Sequence, residues 1–285
     1  MTALTRPAVL TPTARRRGHR RGPGLWIGVG IAAVYVLAAI GAPWLAPYDP
    51  LAQDIPAALS PPSAAHLFGT DNLGRDAFSR VLFAAQLDLF IGLTAASLAF
   101  VIGSSIGLAA GYARGWADVV LTRVMDLVQV IPGIVILIML LLIFGAGTGG
   151  IIFALAVTGW VAYARLVRSE VFVVEGQDFV LAARLAGFSP MRVAVRHVLP
   201  NVWLQAVVYL TSDIVLAIGA VTALGYLGIG IQPPTPEWGA MIAGGQPYLQ
   251  SAPWLTVIPG IVVAVLGLGL ALISDNLTHR TGGRR

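Results

Sequence analysis

The segment FVLAARLAGFSPMRVAVRHVLP, residues 179–200, decides how the rest of the chain is read. Alanine, leucine and valine recur on both sides of Gly187-Phe188-Ser189-Pro190, and a long apolar stretch lies beyond each end. The pattern predicts two short helices, 179–186 and 190–197. Gly187 between them supplies the positive φ that ends the first helix and turns the chain into the second. The whole connection, 169–202, is too long to be a simple loop between its flanking apolar stretches.

Outward from this segment the chain is built for a bilayer. Of 285 residues, 57% are hydrophobic and only 11% charged, against about a quarter charged in a soluble domain. Mean hydropathy is +0.81. A bilayer core about 30 Å thick needs about 20 apolar helical residues to cross it. Six segments approach that length: 25–45, 87–110, 124–144, 150–168, 203–226 and 255–275. The expected fold is therefore all-α with six transmembrane helices. Pro132 predicts a kink in the third span, which also carries Asp126 and Gln129 near one end. Arg15, Arg16, Arg17, Arg20 and Arg21 precede the first span as they would a secretory signal. Its apolar run exceeds the roughly 7 to 15 residues of a signal core, so it reads as a retained helix.

Arginine placement gives the orientation, because basic residues resist crossing during insertion. All 18 basic residues are arginine. Only Arg75 and Arg80 lie on the side of 46–86; the other arginines lie before residue 25, around the loop at Arg114 and Arg123, in and beside 165–196, and from Arg280 onward. Both termini are expected in the cytoplasm. Residues 1–24 form a basic cytoplasmic tail that faces anionic lipid rather than nucleic acid, residues 25–277 the membrane domain with the loop 169–202, and residues 278–285 a short cytoplasmic tail. Outside, residues 66–80 are expected to form an amphipathic helix, with Leu67, Phe68, Leu73, Ala77 and Phe78 in apolar contact and Asp71, Arg75 and Asp76 near water. Residues 228–254, rich in proline and glycine, read as a structured outer loop or re-entrant segment.

Several chemistries are excluded. Without cysteine there is no disulfide, thiolate zinc site or cysteine nucleophile. Without lysine there is no phosphate loop of the Walker A type, so any ATP used is bound by another protein. Gly145-Ala146-Gly147-Thr148-Gly149-Gly150 satisfies G-x-G-x-x-G, but it joins two membrane helices instead of a strand and a helix. His19, His66, His197 and His279 are scattered and build no metal cluster. Gly103, Gly107 and Gly111 form a small-residue face for close helix packing. Asp126 and Arg165, near inner helix ends, suit snorkelling or ion pairing. Asp213, beside Thr211 and Ser212 in the fifth span, is costly in a bilayer and faces either a translocation pathway, where it could meet a peptide's amino terminus, or a polar partner in a subunit interface.

Ala182-Ala183, Gly187 and Leu199-Pro200 resemble the E-A-A-x3-G-x9-I-x-L-P signature of permease subunits in bacterial ABC importers. Leu181 replaces the usual glutamate and His197 the usual isoleucine. HLFGTDNLGRDAFSRVLFAAQ (66–86), LGYLGIGIQPPTPEWGAMI (224–242) and SAPWLTVIPG (251–260) resemble the C-type permeases of dipeptide, oligopeptide and nickel importers, closest to the dipeptide branch. The usual L-R-D-x-L-D-P ending after Asp275 is missing.

The resemblance implies a type I ABC importer permease fold in the bacterial cytoplasmic membrane, moving dipeptides or short peptides inward by alternating access. It implies a homologous second permease, two cytoplasmic ATPase subunits or domains that bind ATP and magnesium, and an extracytoplasmic substrate-binding protein. Ala182, Ala183, Gly187, Leu199 and Pro200 would couple to the ATPases, while Thr211, Ser212 and Asp213 would line the translocation pathway. No cofactor or metal is expected in this chain, and no bond chemistry. The residues themselves support a coupling role, since an inner helix pair rigidly joined to two spans can push on the bundle. Nickel chelates, haem and longer peptides stay open as cargo. Other classes are a proton-coupled transporter using Asp213, which leaves the glycine-centred helix pair unexplained, and an intramembrane enzyme, for which no catalytic pair is visible.

Overall fold

The computed structural model describes residues 23–113 and 115–282, and among them there are helices and turns but no strand. Most of the basic tail, including His19, lies outside the described residues, as does Arg114. Among the described residues five helices are long and apolar enough to cross a membrane, and a bent pair raises the number to six if it is one span.

The first helix, α1 (Pro23–Leu45), is followed by an irregular segment to residue 76 and then by α2 (Ala77–Ala113). A sharply bent pair comes next, α3 (Gly115–Val130) and α4 (Gly133–Phe144), then the long α5 (Thr148–Glu175). The short α6 (Asp178–Leu185) and α7 (Pro190–Val193) precede α8 (Leu199–Tyr226). The chain closes with α9 (Trp238–Gly245) and α10 (Trp254–Gly282).

The centre of the bundle is the pairing of α2 with α5. A Cβ on Gly103 would stand 2.2 Å from the Trp160 carbonyl oxygen, and one on Gly107 2.4 Å from that of Ala164. At Gly111 it would lie 2.9 Å from the Val171 side chain. The four-residue spacing therefore marks a backbone-to-backbone seam, which only glycine permits. On the other flank α1 packs on α10, where a Cβ at Gly28 would meet the Gly269 carbonyl at 2.5 Å. Tyr35 donates its hydroxyl hydrogen to the Val262 carbonyl at 2.7 Å across the same seam.

The expected third span, 124–144, is not one kinked helix. α3 and α4 meet at 88°, with the break at Ile131-Pro132. Proline disfavours helical backbone in the residue before it and removes a donor, so the chain stops at Val130 and restarts at Gly133. The restart is secured by the Pro132 carbonyl, which accepts from Val135 N at 2.9 Å. The twelve residues of α4 rise about 18 Å at 1.5 Å each, too little to cross the core alone. α3 is tied to α5 by Arg165 on Asp126 at 2.6 Å and by the two-pronged contact of Arg168 with Asp118. Ion pairing is thus what Asp126 and Arg165 do.

The expected amphipathic helix over 66–80 is absent. Residues 66–76 run in turns, with Gly69 and Gly74 at positive φ, and helix begins only at Ala77. Asp76 is buried rather than near water. It caps α2 by accepting from Ser79 N at 2.8 Å and Ser79 Oγ at 2.7 Å, and it bonds His66 Nδ1 at 2.9 Å. The carboxylate is consumed in starting the helix, which places the start of α2 ten residues before the expected span.

Residues 228–254 are structured, as expected. Glu237 accepts from Gly239 N and Ala240 N, both at 2.7 Å, and so caps α9. Trp238 is fully buried: its backbone N–H reaches Asp88 Oδ2 at 3.1 Å and its indole N–H the Val81 carbonyl at 3.2 Å. With Leu59, Phe68, Tyr248 and Trp254 packed around Ala77, Ala252 and Leu255, segments 46–76 and 227–253 form one cap at the head of α2. The glycine run 145–150 links α4 to α5, with Gly147 at the α5 N-terminus, and no strand adjoins it.

Candidate functional site

At the opposite end of α2 from the cap, α5 ends at Gly176 and the chain folds back through α6. The eight residues of α6 have two unlike faces. Val180 and Ala183 are buried, in a core cluster with Val193, Val198 and Val202. Phe179, Leu181, Ala182 and Leu185 are exposed. Gly187, at φ +79, makes the turn as its sequence position required, and Phe188 N bonds back to the Ala183 carbonyl at 3.3 Å. Nothing lies within 4 Å of where its Cβ would be, so glycine is needed here for conformation and not for space.

The turn is braced from three directions. Arg184 pairs with the buried carboxylate of Glu175 at the end of α5 and lies over the Tyr112 ring. Tyr112, near the end of α2, donates its hydroxyl hydrogen to the Pro190 carbonyl at 2.6 Å. Ser189 caps the following helix by accepting from Arg192 N, and the Arg192 guanidinium covers the Phe188 ring. Tyr112, Glu175 and Arg184 were not singled out from sequence, because only the fold shows that they meet.

The expected second helix, 190–197, is not a separate element. Residues 190–226 form one helical run, with a wide π turn over Ala194–Val198. Pro200 has no N–H for the Arg196 carbonyl, and the widened turn accommodates that loss. Leu199 and Pro200 therefore sit in the first turn of α8, away from the exposed apices of α6. Ala182 and Gly187 are exposed, while Ala183 is buried in the hinge. The apolar surface left open runs through Leu185, 90% exposed, and Met191, 74% exposed, with Phe179, Leu181 and Val195 beside them. An exposed apolar surface on a rigid base is a candidate interaction site.

The second candidate lies in a half-open cleft on the face of the bundle where Leu216 is exposed. Thr211, Ser212 and Asp213 are successive on α8 and point three ways. Thr211 Oγ1 bonds its own helix at the Val208 carbonyl, 2.7 Å away, and Ser212 Oγ meets Ser274 Oγ of α10 at 2.5 Å. Asp213 faces a cavity of about 180 Å³ between α2, α5 and α8. Its Oδ2 accepts from Tyr163 OH at 2.8 Å. Tyr163 is held edge-on by Phe100 and by Tyr209. Among the described residues no group of three histidines or acids could hold a metal ion.

Residues 103–283 match the family of binding-protein-dependent transport system inner membrane components. Residues 17–62 match the N-terminal transmembrane domain of oligopeptide transport permease C. A Brucella suis protein, provisionally named a peptide transport system permease, is 41% identical over 95% of this chain and 90% of its own. The di/tripeptide transport system permease of Pseudomonas aeruginosa is 37% identical over 88% of this chain and 84% of its own. Among solved structures, an inward-facing form of the MetNI methionine ABC transporter aligns with a TM-score of 0.53 at 18% identity, covering 70% of this chain and 96% of that one. That likeness speaks for the fold alone.

Proposed function

This chain belongs to the binding-protein-dependent transport system inner membrane components, and from that premise we propose that it is the permease half of an ATP-driven importer of dipeptides or short peptides. The observation that carries the reading is the braced turn around Gly187, an apolar surface on a rigid mount between two long helices. In this reading α6 docks in a groove of a cytoplasmic ATPase. Movement of the ATPase is then transmitted through Glu175-Arg184 to α5 and through Tyr112-Pro190 to α2 and α8. Ala182 and Gly187 contribute at the docking surface, Ala183 in the hinge behind it, and Leu199 and Pro200 in the lever that follows.

The peptide cargo is supported by relatives named for peptide, di/tripeptide and dipeptide transport. A homologous permease completes the pathway, and a binding protein delivers substrate to the cap face. Both termini lie in the cytoplasm, a reading that rests on the arginine distribution and counts α3 with α4 as one broken span. The basic tail meets anionic lipid there. ATP and magnesium stay with the partner subunits, since this chain has no lysine for a phosphate loop.

The test is uptake by the reconstituted complex in liposomes, with ATP on the cytoplasmic side compared with an imposed pH gradient. Uptake that needs ATP and ignores the gradient is expected. Gradient-driven uptake without nucleotide would replace this reading with a proton-coupled transporter.

A further inference from the structure

Asp213 is the only acidic residue of α8. The cavity it enters is otherwise walled by small or apolar side chains, among them Ala95, Ala96 and Ala99 of α2 and Thr158 and Gly159 of α5. One carboxylate oxygen is fixed by the Tyr163 hydroxyl. No hydrogen bond or ion pair to the other oxygen occurs among the described residues, and no arginine lines the cavity. A carboxylate held in this way lacks a counter-charge, and an intramembrane charge is costly unless it meets one.

We propose that the Asp213 cavity is a recognition station for a cationic nitrogen, and that its occupant during transport is the α-ammonium of the peptide. Three features carry the inference. The phenol of Tyr163 holds the carboxylate in one orientation, and the aromatic contacts of Tyr163 with Phe100 and Tyr209 fix the phenol in turn. Besides the Asp213 carboxylate the walls offer one hydroxyl, that of Thr158, and no cation for a carboxylate. The volume of about 180 Å³ falls short of the roughly 300 to 1,000 Å³ of a site that encloses a whole drug-sized ligand. It fits one end of a peptide, with the remainder lying along the mouth beside exposed Leu216. This deepens the importer reading and rests on it.

The experiment uses the complete reconstituted complex with its binding protein and alanyl-alanine as the probe, and follows uptake and ATP hydrolysis together. Asp213→Asn keeps the shape and an oxygen to accept from Tyr163 while removing the charge. Uptake should fall by about tenfold to a hundredfold, the range of a hydrogen bond to a charged group. ATP hydrolysis stimulated by the loaded binding protein should stay within about twofold, because the turn around Gly187 is untouched. Asp213→Glu should recover much of the uptake, which a merely volumetric role would not allow. Wild-type uptake by Asp213→Asn overturns the proposal. Loss of the second permease from purified Asp213→Asn complex also overturns it, since the counter-charge would then be a basic side chain of that subunit. If the wild-type complex itself shows no ATP-dependent uptake, the importer reading fails instead, and the two failures are told apart in the same assay.

Discussion

The two ends of the bundle are built from similar material and finished differently. In the cap, most polar groups are turned inward and paired: Asp76 serves Ser79 and His66, Thr70 reaches the Ala57 carbonyl, and Arg80 donates to the Pro50 carbonyl at 2.9 Å, while the buried Trp254 indole N–H has no partner among the described residues. Around Gly187 the polar groups are paired too, His197 Nε2 excepted, but Leu185 and Met191 stand in the open. A cap whose hydrogen bonds are internal can stand as a fixed rim. A turn whose bracing is internal and whose apolar apices are bare is what the proposed docking role requires.

The largest expected effect breaks the turn. Gly187→Val places a β-branched residue at φ +79, a strain of about 1 to 3 kcal/mol that the chain relieves by re-aiming α6. Uptake should be abolished, while membrane insertion and pairing with the second permease persist, as measured by transport and co-purification. Next, Leu185→Ala should weaken ATPase association by about tenfold to thirtyfold if Leu185 is an anchor of the usual strength, read by titrating ATPase onto the purified permease pair. The same substitution at exposed Leu67 of the cap should leave that titration unchanged.

A smaller effect is expected in the cap. Asp76→Ala uncaps α2 and leaves the buried Ser79 groups without their acceptor, at a cost of about 1 to 3 kcal/mol. The purified permease pair should melt at lower temperature with ATPase affinity unaltered. The smallest concerns Glu237, whose carboxyl burial pushes above its ordinary 4.5 in a site shared with the buried Asp88 carboxyl. The folded cap then holds a proton that the unfolded chain releases, so the stability from this group is full below 4.5 and is lost as pH rises above it. Melting followed as pH is raised should show the decline, and Glu237→Gln should reduce it, leaving the part that the neighbouring Asp88 carboxyl contributes.

What was legible in the sequence follows periodicity and local geometry. The apolar runs located the membrane helices, the spacing of Gly103, Gly107 and Gly111 marked the α2–α5 seam, and Gly187 marked its turn. Pro132 announced a disturbance, but a kink and an 88° break share one local cause and differ in what packs on either side. The early start of α2 was hidden because Asp76 reads as a surface charge until His66 and Ser79 are seen to close over it. Long-range pairs such as Asp88 with Trp238 and Asp213 with Tyr163 carry no periodic signature. The separate helix expected at 190–197 failed for a related reason: Pro200 signals a boundary by itself, and a π turn lets the helix pass it.

Because the chain has no cysteine, a single introduced thiol is the only one in this chain, and labelling read on this chain gives the most direct test of the central claim. Leu185→Cys in the permease pair should react rapidly with a water-soluble maleimide, and adding the ATPase subunits should slow that reaction by about tenfold or more, as burial of an interface anchor requires. Leu67→Cys in the cap should label at the same rate in both cases. Equal labelling of Leu185→Cys with and without bound ATPases would contradict the account, because the turn around Gly187 would then not be the surface through which the chain is driven.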